Sequence, residues 1–504
     1  MLNQYVKKIL QARVYDVAEK TRTDYASNLS RRFNNHIWIK REDMQPVFSF
    51  KLRGAYNKIA NLPREILEKG VIAASAGNHA QGVAVSAAKL GIRAIIVMPK
   101  TTPEIKVSSV RNRGAEVILH GTTFDDASRY AQQLVEKEGL SYIPPYDDEE
   151  VIAGQGTIGM EILQQRSGQL DAIFVPVGGG GLIAGVAAYV KYVRPEIKII
   201  GVEPKDAPTL YAAMLANERV MLDQVGIFAD GVAVRQIGEL PFKIVKDNVD
   251  EVLLVSTDEI CAAIKDIFED TRTVTEPAGA LALAGLKQYI EREKCTGKQL
   301  VTIASGANMN FDRLGYVTER TEVGEQREAL IAVTIPERPG SFREFCHAIG
   351  QRGITEFNYR FASTAEAHVF AGIRVTKGLI EKEQLIEKLI AKDYPVTDLT
   401  DNEVAKSHIR HMVGGRAAQV ENERLYRFEF PERPGALLHF LTSMNLQWNI
   451  SLFHYRNHGA AYGRVLVGVQ VPNEELHAFK QFLNNLGYPY WDENDNPAYH
   501  LFLD

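Results

Sequence analysis

The chain has 504 residues and a net charge of −5, with 58 basic and 63 acidic side chains spread along it, which argues against a nucleic-acid partner. Its three cysteines lack the spacing of a zinc site or of a disulfide framework, so we expect a reducing, cytoplasmic compartment and no bound metal. The first twenty residues read as an amphipathic helix, and no apolar run has the length of a membrane span, so we expect no membrane partner.

From about residue 40 to 320, short apolar runs alternate with helix-like segments. The predicted strands cover 70–75, 92–99, 171–177 and 197–204, and the predicted helices cover 79–91 and 182–193. Strands that are apolar on both faces and alternate with helices indicate βαβ units in a parallel sheet. In such α/β sheets ligands bind in the loops after the carboxyl ends of the strands.

The first unusual feature is the stretch SFKLRGA, which places Lys51 between Phe50 and Leu52 at the start of a helix-like run. Burial disfavours the charged form of a lysine and leaves a neutral amine that acts as a nucleophile. The alternative is a lysine whose amine stays in water while its stem packs on apolar surface. The stretch by itself does not decide between them.

The strongest local signal is VPVGGGGLIAG, in which Gly178–Gly181 lie between a strand and a helix that begins near Leu182. Glycines let backbone N–H groups turn towards a ligand, and the helix N-terminus adds positive potential, so this loop is typical of a phosphate site. A flexible linker is the alternative, but linkers rarely lie inside a βαβ unit. The loop matches neither the Walker motif nor the usual GxGxxG turn.

Polar side chains follow other predicted strands. SAGNHAQG offers Ser75, Asn78 and His79 beside free backbone N–H groups, which suits a carboxylate, although an ordinary helix N-cap explains the same residues. IASGANMN places Ser305 after another strand, where it either bonds a ring nitrogen or caps a turn.

Two further glycine and proline motifs are weaker. AGQGT contains Gly154 and reads first as the start of a helix. TEPAGA places Glu276 before Pro277, again a common helix start.

Past residue 320 the chain contains a repeat. PERPG begins at Pro336 and again at Pro431, each copy after a strand-like run and before a helix-like run, and a Tyr-Arg pair follows at Tyr359 and at Tyr455. The shared order predicts two units of strand, helix, strand, strand and helix, as in a ferredoxin-like α/β sandwich. The turns at Gly340 and Gly435 precede helix N-termini, where a small anion binds readily.

A lysine that forms a Schiff base, together with a phosphate site, is what pyridoxal phosphate requires. SFKLRGA, SAGNHAQG, GGGGL and SGANMN together resemble the serine/threonine dehydratase family of fold type II pyridoxal-phosphate enzymes. The repeated half resembles the paired ACT-like regulatory domains of biosynthetic threonine deaminases. We therefore expect a catalytic domain over 1–322 with parallel twisted sheets, and two ACT-like ferredoxin-like units over 323–415 and 416–504.

The resemblance implies a role for each motif residue. Lys51 binds the cofactor as a Schiff base and then acts as general base. The other implied cofactor contacts are Phe50 beside the ring, Asn78 at the phenolic oxygen, Ser305 at the ring nitrogen, Glu276, and Gly178, Gly179, Gly180, Gly181 and Leu182 at the phosphate. The implied substrate contacts are Ser75, Asn78, His79 and Gly154. For the effectors, the implied neighbourhood is Gly340, Tyr359, Gly435 and Tyr455.

The implied reaction is the dehydration and deamination of L-threonine to 2-oxobutanoate and ammonia, and of L-serine to pyruvate. By the same resemblance we expect inhibition by isoleucine, opposition by valine, and a homotetramer. A neutral serine opposite the ring nitrogen makes the ring a weaker electron sink than an aspartate does, which favours prompt loss of the β-hydroxyl.

Two other functions are weighed. Serine racemases share these motifs, but they carry a second serine at the position of Ala76. Of the acidic residues that bind their metal ion, this chain keeps the first as Glu203 but has Thr209 at a later position. An amino-acid sensor without catalysis is the alternative from another class, and the intact Lys51 and Ser305 argue against it.

Overall fold

The computed structural model divides the chain into two compact units, unit 1 (Met1–Thr321) and unit 2 (Glu322–Asp504). It describes residues 2–311, 313–361, 365–407, 409–412, 414, 417, 420–431, 436–445, 447–456, 462–496, 499 and 503. Across these residues no helix has the length and apolar character needed to cross a membrane. The domain limits drawn at 322 and 415 remain predictions.

Unit 1 alternates strands and helices. Its strands are β1 (Thr23–Tyr25), β2 (His36–Arg41), β3 (Val71–Ala74), β4 (Ala94–Met98), β5 (Glu116–Leu119), β6 (Ser141–Tyr142), β7 (Ala172–Pro176), β8 (Lys198–Pro204), β9 (Glu251–Val255) and β10 (Gln299–Ala304). Its helices are α1 (Leu2–Gln11), α2 (Ser27–Phe33), α3 (Lys51–Ala60), α4 (Arg64–Leu67), α5 (Asn78–Leu90), α6 (Glu104–Arg111), α7 (Phe124–Glu138), α8 (Glu149–Gln165), α9 (Gly181–Val193), α10 (Thr209–Ala216), α11 (Glu239–Val245), α12 (Thr257–Thr271) and α13 (Pro277–Glu293), and α14 (Arg313–Gly324) follows at the end of the unit.

The strands of unit 1 form two sheets. The larger has the order β1-β2-β10-β7-β8-β9 and is parallel except for β1, and the smaller has the order β5-β4-β3-β6 and is parallel throughout. Strands β3, β4 and β7 are buried along their whole length, as expected of parallel strands covered on both faces. The predicted α/β class with parallel sheets is confirmed.

Unit 2 repeats one arrangement. The first copy contains β11 (Glu328–Pro336), α15 (Ser341–Ile349), β12 (Ile354–Arg360), β13 (Glu366–Arg374), α16 (Gly378–Ile390) and β14 (Val396–Asp398). The short helix α17 (Glu403–Ser407) then precedes the second copy, with β15 (Glu423–Pro431), α18 (Ala436–Ser443), β16 (Asn449–Arg456), β17 (Tyr462–Gln470), α19 (Leu476–Leu486) and β18 (Tyr490–Asp492).

The two copies share one antiparallel sheet with the order β14-β11-β13-β12-β16-β17-β15-β18. Within each copy the strand order is that of a ferredoxin-like sandwich, and β12 pairs with β16 to join the copies edge to edge. Joining the two edges satisfies backbone groups that an isolated edge strand leaves open. Aromatic side chains from both copies fill one continuous core, including Phe357, Phe453 and Phe440.

Candidate active site

Loops from several strands of unit 1 meet at the carboxyl ends of the parallel strands. The residues before α3 run beside those after β10, since Phe50 N donates to Ser305 O (3.2 Å) and Ser49 forms a β-bridge with Gly306. Glu276, just before α13, donates its backbone N–H to Gly306 O (3.2 Å). The start of α3, the end of β10 and the start of α13 therefore converge.

Lys51 is the first residue of α3 and is half-buried. Its Nζ donates to Pro145 O (3.1 Å) and lies 5.3 Å from the centre of the Phe50 ring. Burial lowers the pKa of Lys51 to about 8, against an opposing effect of the Glu276 carboxylate. A substantial fraction of the amine is thus neutral near physiological pH, as a nucleophile or a base requires.

The glycine loop between β7 and α9 has no room for side chains. A Cβ on Gly178 would lie 2.8 Å from Val232 Cα, and one on Gly179 would overlap the Tyr146 ring. Gly180 has a φ of +89°, in the left-handed region. The loop turns its carbonyls to the protein, where Gly238 N donates to Gly179 O (3.1 Å). The first N–H groups of α9 lack partners within the helix and form a cradle suited to an anion.

The loop after β3 leads into the N-terminus of α5. Gly77 N donates to Ser75 Oγ (3.3 Å), and Asn78 opens the helix. His79 is buried, and its Nε2 lies 2.8 Å from Ile143 O, so that nitrogen carries the proton. Burial lowers the pKa of His79 to about 3 and keeps the ring neutral. The contact of His79 with a substrate carboxylate remains a prediction. In the neutral ring the other nitrogen presents a lone pair, so the donors at this position are the backbone N–H groups of α5.

Glu276 is buried beside Asn78. Asn78 Nδ2 donates to Glu276 Oε1 (2.6 Å), and a Cβ on Gly306 would overlap that carboxylate. Burial, with a smaller contribution from the nearby Asp230 carboxylate, raises the pKa of Glu276 to about 7. Helix α13 begins at Pro277, as the motif TEPAGA predicted, and Glu276 just before it contacts Asn78.

Ser305 is buried at the end of β10. Its hydroxyl donates to Ala278 O (3.2 Å), so donation to a ring nitrogen requires the hydroxyl to rotate from this partner. Helix α13 approaches the loop after β10 closely because Gly279 has no side chain; a Cβ on Gly279 would overlap Gly306 O.

Gly154 lies inside α8 and not at a helix start, which corrects the reading of AGQGT. A Cβ on Gly154 would come within 2.7 Å of Arg53 O and Gly54 Cα, so the glycine permits α8 to cross α3 closely behind Lys51. The crossing is held by Arg53, whose buried guanidinium pairs with Glu42 (2.8 Å) and Glu161 (2.6 Å).

In unit 2 a cavity lies between the two copies. Its lining comprises Gly340, Phe342, Arg343, Leu441, Met444, Asn445, Trp448, Asn449 and Ile450. Gly340 (φ +90°) caps α15, and the Phe342 ring packs on Tyr359 at 4.8 Å. The Tyr359 hydroxyl donates to Glu337, which also accepts from Asn449 Nδ2 (2.9 Å). Tyr455 lies on β16 opposite Phe357, and Gly435 falls outside the described residues.

Several residues of the site carry no signal of their own in the sequence. Pro145 and Tyr146 follow the two-residue strand β6, and only the fold brings them against Lys51 and Gly179. Gly231 lies in a short 3-10 helix (Asp230–Val232), and a Cβ on it would lie 3.6 Å from Glu276 Oε1. Asn308, visible in SGANMN, donates to Asn78, a contact that no local pattern predicts.

Comparison with known proteins identifies the class. The family described as pyridoxal-phosphate dependent enzyme matches residues 14–306, and the C-terminal regulatory domain of threonine dehydratase matches twice, over 319–409 and 414–503. A biosynthetic L-threonine dehydratase from Burkholderia multivorans is 56% identical over 99% of both chains. Its Escherichia coli counterpart is 53% identical over 99% of this chain and 97% of its own. The chain belongs to the family of biosynthetic threonine dehydratases.

Solved structures agree on the fold. The processed form of threonine deaminase isoform 2 from Solanum lycopersicum superposes with a TM-score of 0.63 and 52% identity, covering 64% of this chain and 88% of its own. Maize serine racemase gives a TM-score of 0.58 and 32% identity, covering 62% and 96%. Both superpositions cover 62–64% of this chain, whereas the curated dehydratase sequences match 99% of it.

The residues present fit the cofactor that defines this class. A glycine cradle that a Cβ would fill stands at the N-terminus of α9, and a lysine with a lowered pKa stands near it. The predicted dependence on pyridoxal phosphate is confirmed by the family match.

Proposed function

We propose that the protein is an L-threonine ammonia-lyase, converting L-threonine to 2-oxobutanoate and ammonia and L-serine to pyruvate, at the first step of isoleucine biosynthesis. The observation that carries the proposal is the similarity to biosynthetic L-threonine dehydratases, which spans the catalytic unit and both regulatory copies. Maize serine racemase matches only 62% of this chain, so a racemase function leaves unit 2 unexplained, as does that of a shorter catabolic enzyme.

The residues that we propose to hold the cofactor are those implied by the family resemblance, and the loop geometry is compatible with them. Gly178–Gly181 and Leu182 bind its phosphate through backbone N–H groups and the N-terminus of α9. With the cofactor bound, Phe50 would flank it, Ser305 would face its ring nitrogen, and Asn78 would supply a donor to its phenolic oxygen. Lys51 would provide the amine for the covalent link.

The substrate carboxylate binds at the start of α5. Ser75 and the backbone N–H groups from Asn78 onwards supply donors there, and the helix N-terminus adds favourable potential. The neutral His79 ring adds no charge to this pocket, and its bond to Ile143 O holds the helix start in place.

Pyridoxal phosphate, when bound, withdraws electrons from the substrate α-carbon and so makes its proton removable. Lys51 takes that proton as a neutral amine, which its lowered pKa makes available. Ser305 keeps the ring nitrogen uncharged, because a hydroxyl does not protonate it. Loss of the β-hydroxyl and then of ammonia, with one water released and one consumed, completes the balance from L-threonine to 2-oxobutanoate.

Unit 2 binds isoleucine as inhibitor and valine as its opponent. The lining of the cavity between the copies supports this, because Arg343 and the N-terminus of α15 suit a carboxylate and Leu441, Trp448 and Ile450 suit a branched apolar side chain. The cavity has a volume of about 20 Å³, so it must widen to admit either amino acid. Glu337, held by Tyr359, suits the ammonium group. In this placement Gly340 lines the cavity and Tyr359 positions Glu337 beside it. Tyr455 is not among the residues that line the cavity; it lies on β16 opposite Phe357.

The protein acts in the cytoplasm as a homotetramer. The first part of this proposal rests on the cysteine content, and the second on the resemblance to regulated deaminases. Gel filtration with light scattering tests the subunit count.

The deciding experiment measures 2-oxobutanoate from L-threonine, with and without isoleucine, for the wild type and for Lys51→Ala. The wild type is expected to form product and to be inhibited by isoleucine, and the variant to form none. Borohydride reduction of the holoenzyme followed by peptide mapping is expected to fix the cofactor on Lys51. Labelling of another lysine, or a wild type without lyase activity, would contradict the proposal.

A further inference from the structure

Three side chains form a directed chain of hydrogen bonds at the edge of the site. Asn308 Nδ2 donates to Val47 O (2.8 Å) and to Asn78 Oδ1 (2.7 Å), and Asn78 Nδ2 donates to Glu276 Oε1 (2.6 Å). The proposed function assigns no role to Asn308, which follows β10 by a few residues.

The direction of this chain is imposed by its two ends. Val47 O is a backbone carbonyl and can only accept, so the Asn308 atom that faces it must be the nitrogen. The same nitrogen faces Asn78, whose nearer atom must then be the oxygen. The remaining Asn78 atom is therefore the nitrogen, and it points to the Glu276 carboxylate, which accepts.

The orientation matters because the two faces of an amide are opposite in polarity. A phenolic oxygen that carries negative charge needs a donor, and Asn78 offers one only while its nitrogen faces the site. A Cβ on Gly231 would lie 4.0 Å from that nitrogen and one on Gly306 would lie 3.3 Å from it, so the two glycines keep side chains away from the amide. A turned amide would bring an oxygen there and repel the cofactor oxygen.

We infer that Asn308 is a positioning residue that holds the Asn78 amide with its nitrogen facing the cofactor and Glu276. The inference rests on the proposed function, because it presumes that Asn78 serves the cofactor. Asn308 acts through Asn78 and touches neither substrate nor reacting atom.

The sharpest test reverses the polarity of the chain without changing its shape. In Asn308→Asp the new carboxylate accepts only, so Asn78 is expected to turn its nitrogen towards that carboxylate and its oxygen towards Glu276. Adding Glu276→Gln supplies a donor at the other end and restores a bond at each junction of the three side chains, with the Asn78 amide still turned. Glu276→Gln alone, measured in parallel, accounts for any direct effect of that residue on cofactor affinity, so that stability and amide orientation are separated.

Asn35→Asp is the matched control. Asn35 is buried, and its Nδ2 also donates to two backbone carbonyls, Phe33 O (2.8 Å) and Cys295 O (2.9 Å), away from the site. The same substitution therefore removes two amide donor bonds at each position, although one of the two at Asn308 goes to a side chain. Asn308→Ala is the second control, because it deletes the donors without imposing the reverse direction.

The measurements are the thermal midpoint of each protein, the dissociation constant of pyridoxal phosphate from the cofactor-free protein, and the fraction fixed on Lys51 by borohydride. Asn35→Asp is expected to lower the midpoint and leave cofactor affinity within about twofold of wild type. Asn308→Asp is expected to weaken affinity by roughly tenfold or more, the size of one lost hydrogen bond to a charged group, and Asn308→Ala by less. The thermal midpoint of the double variant is expected to rise from that of Asn308→Asp to about that of the Asn35→Asp control. Its affinity for pyridoxal phosphate is expected to stay low.

Three results would overturn the inference: recovery of affinity together with the midpoint in the double variant, wild-type affinity in Asn308→Asp, or an Asn308→Ala effect as large as that of Asn308→Asp. Failure of the proposed function looks different, because the wild type itself would then bind no cofactor or form no 2-oxobutanoate.

Discussion

Lys51 shows how one residue acquires its chemistry from burial. The amine of Lys51 lies beside the Pro145 carbonyl and the Phe50 ring, and burial lowers its pKa to about 8. An exposed lysine has a pKa of about 10.4. Because the pKa is lowered, the neutral form appears at lower pH than on the surface, and reactivity rises as pH passes through about 8.

The first prediction follows from that titration. In the cofactor-free protein, an amine-selective reagent should label Lys51 with a midpoint near pH 8, well below the midpoint of exposed lysines, as read by peptide mass spectrometry across pH 6–11. A midpoint shared with the surface lysines would show that the amine is hydrated. Lys51→Arg is the control for assignment of the labelled peptide.

The second prediction concerns Ala76, a half-buried residue that packs beside the core of the small sheet. Ala76→Ser adds a hydroxyl where racemases of this fold carry one, so it should raise D-serine formation from L-serine by about tenfold or more. A fully positioned acid or base contributes roughly 100- to 10,000-fold, and a single substitution is expected to reach only the lower part of that effect or less. Chiral chromatography measures the product. Appreciable D-serine from the unmodified enzyme would contradict the reading.

At the scale of elements, the loops after β7 and β10 and the crossing of α8 over α3 depend on glycines that permit close approach. Gly179 lies against the Tyr146 ring and Gly154 against the backbone of α3. These contacts join helices and loops from distant parts of the chain, and they set the space left for a phosphate and for the lysine.

The third prediction uses this packing. Gly179→Ala should displace Tyr146 or the loop and weaken pyridoxal-phosphate affinity by roughly tenfold or more, about the cost of one misplaced charged hydrogen bond. Gly168→Ala is the matched control, since a Cβ there meets nothing within 4 Å. Equilibrium titration of cofactor into both proteins is the measurement, and equal affinities would show that the loop does not hold the phosphate.

The fourth prediction concerns Arg53, which ties α3 to Glu42 and to Glu161 of α8. Arg53→Met leaves two buried carboxylates without their shared partner, so the free energy of unfolding should fall by about 3–5 kcal/mol. Arg129→Met removes an exposed arginine and should change it by at most about 0.5 kcal/mol. Urea unfolding of both variants decides, and similar losses would show that the buried pairs contribute no more than a surface one.

Unit 2 contains a second kind of repeat that its sequence motifs do not reveal. Glu328 at the start of β11 accepts from Thr355 at the bulge of β12, and Glu423 at the start of β15 accepts from Ser451 at the bulge of β16. Burial raises the pKa of Glu328 to about 7. The two copies thus repeat a buried polar pair as well as the PERPG turn.

At the scale of the whole molecule, one compact unit carries the chemistry and another carries the cavity proposed for effectors. A ligand of unit 2 changes activity only by its differential affinity for two states of the protein. A coupling of about 1–3 kcal/mol corresponds to roughly 5- to 150-fold in substrate affinity.

The fifth prediction tests this division. A chain ending near residue 322 should keep lyase activity and lose its response to isoleucine, measured as 2-oxobutanoate formation across an isoleucine titration. The full-length protein is the control at equal concentration. Inhibition of the truncated enzyme at the same isoleucine concentration would place the regulatory site in the catalytic unit.

The sequence by itself determined the fold class, the cofactor and the repeat, because these depend on local patterns. Buried strands, glycines before a helix and a lysine among apolar residues are each written within about ten residues, and α5, α9 and β7 lie within two residues of their predicted limits.

Only the tertiary structure decided how those residues use their side chains. His79 turns to Ile143, Gly154 serves a helix crossing, and Asn308 reaches Asn78, although nothing adjacent in the sequence distinguishes these outcomes. The physical reason is that hydrogen-bond direction and close packing depend on partners brought from distant segments, and a local pattern specifies a residue's chemistry but not its partner.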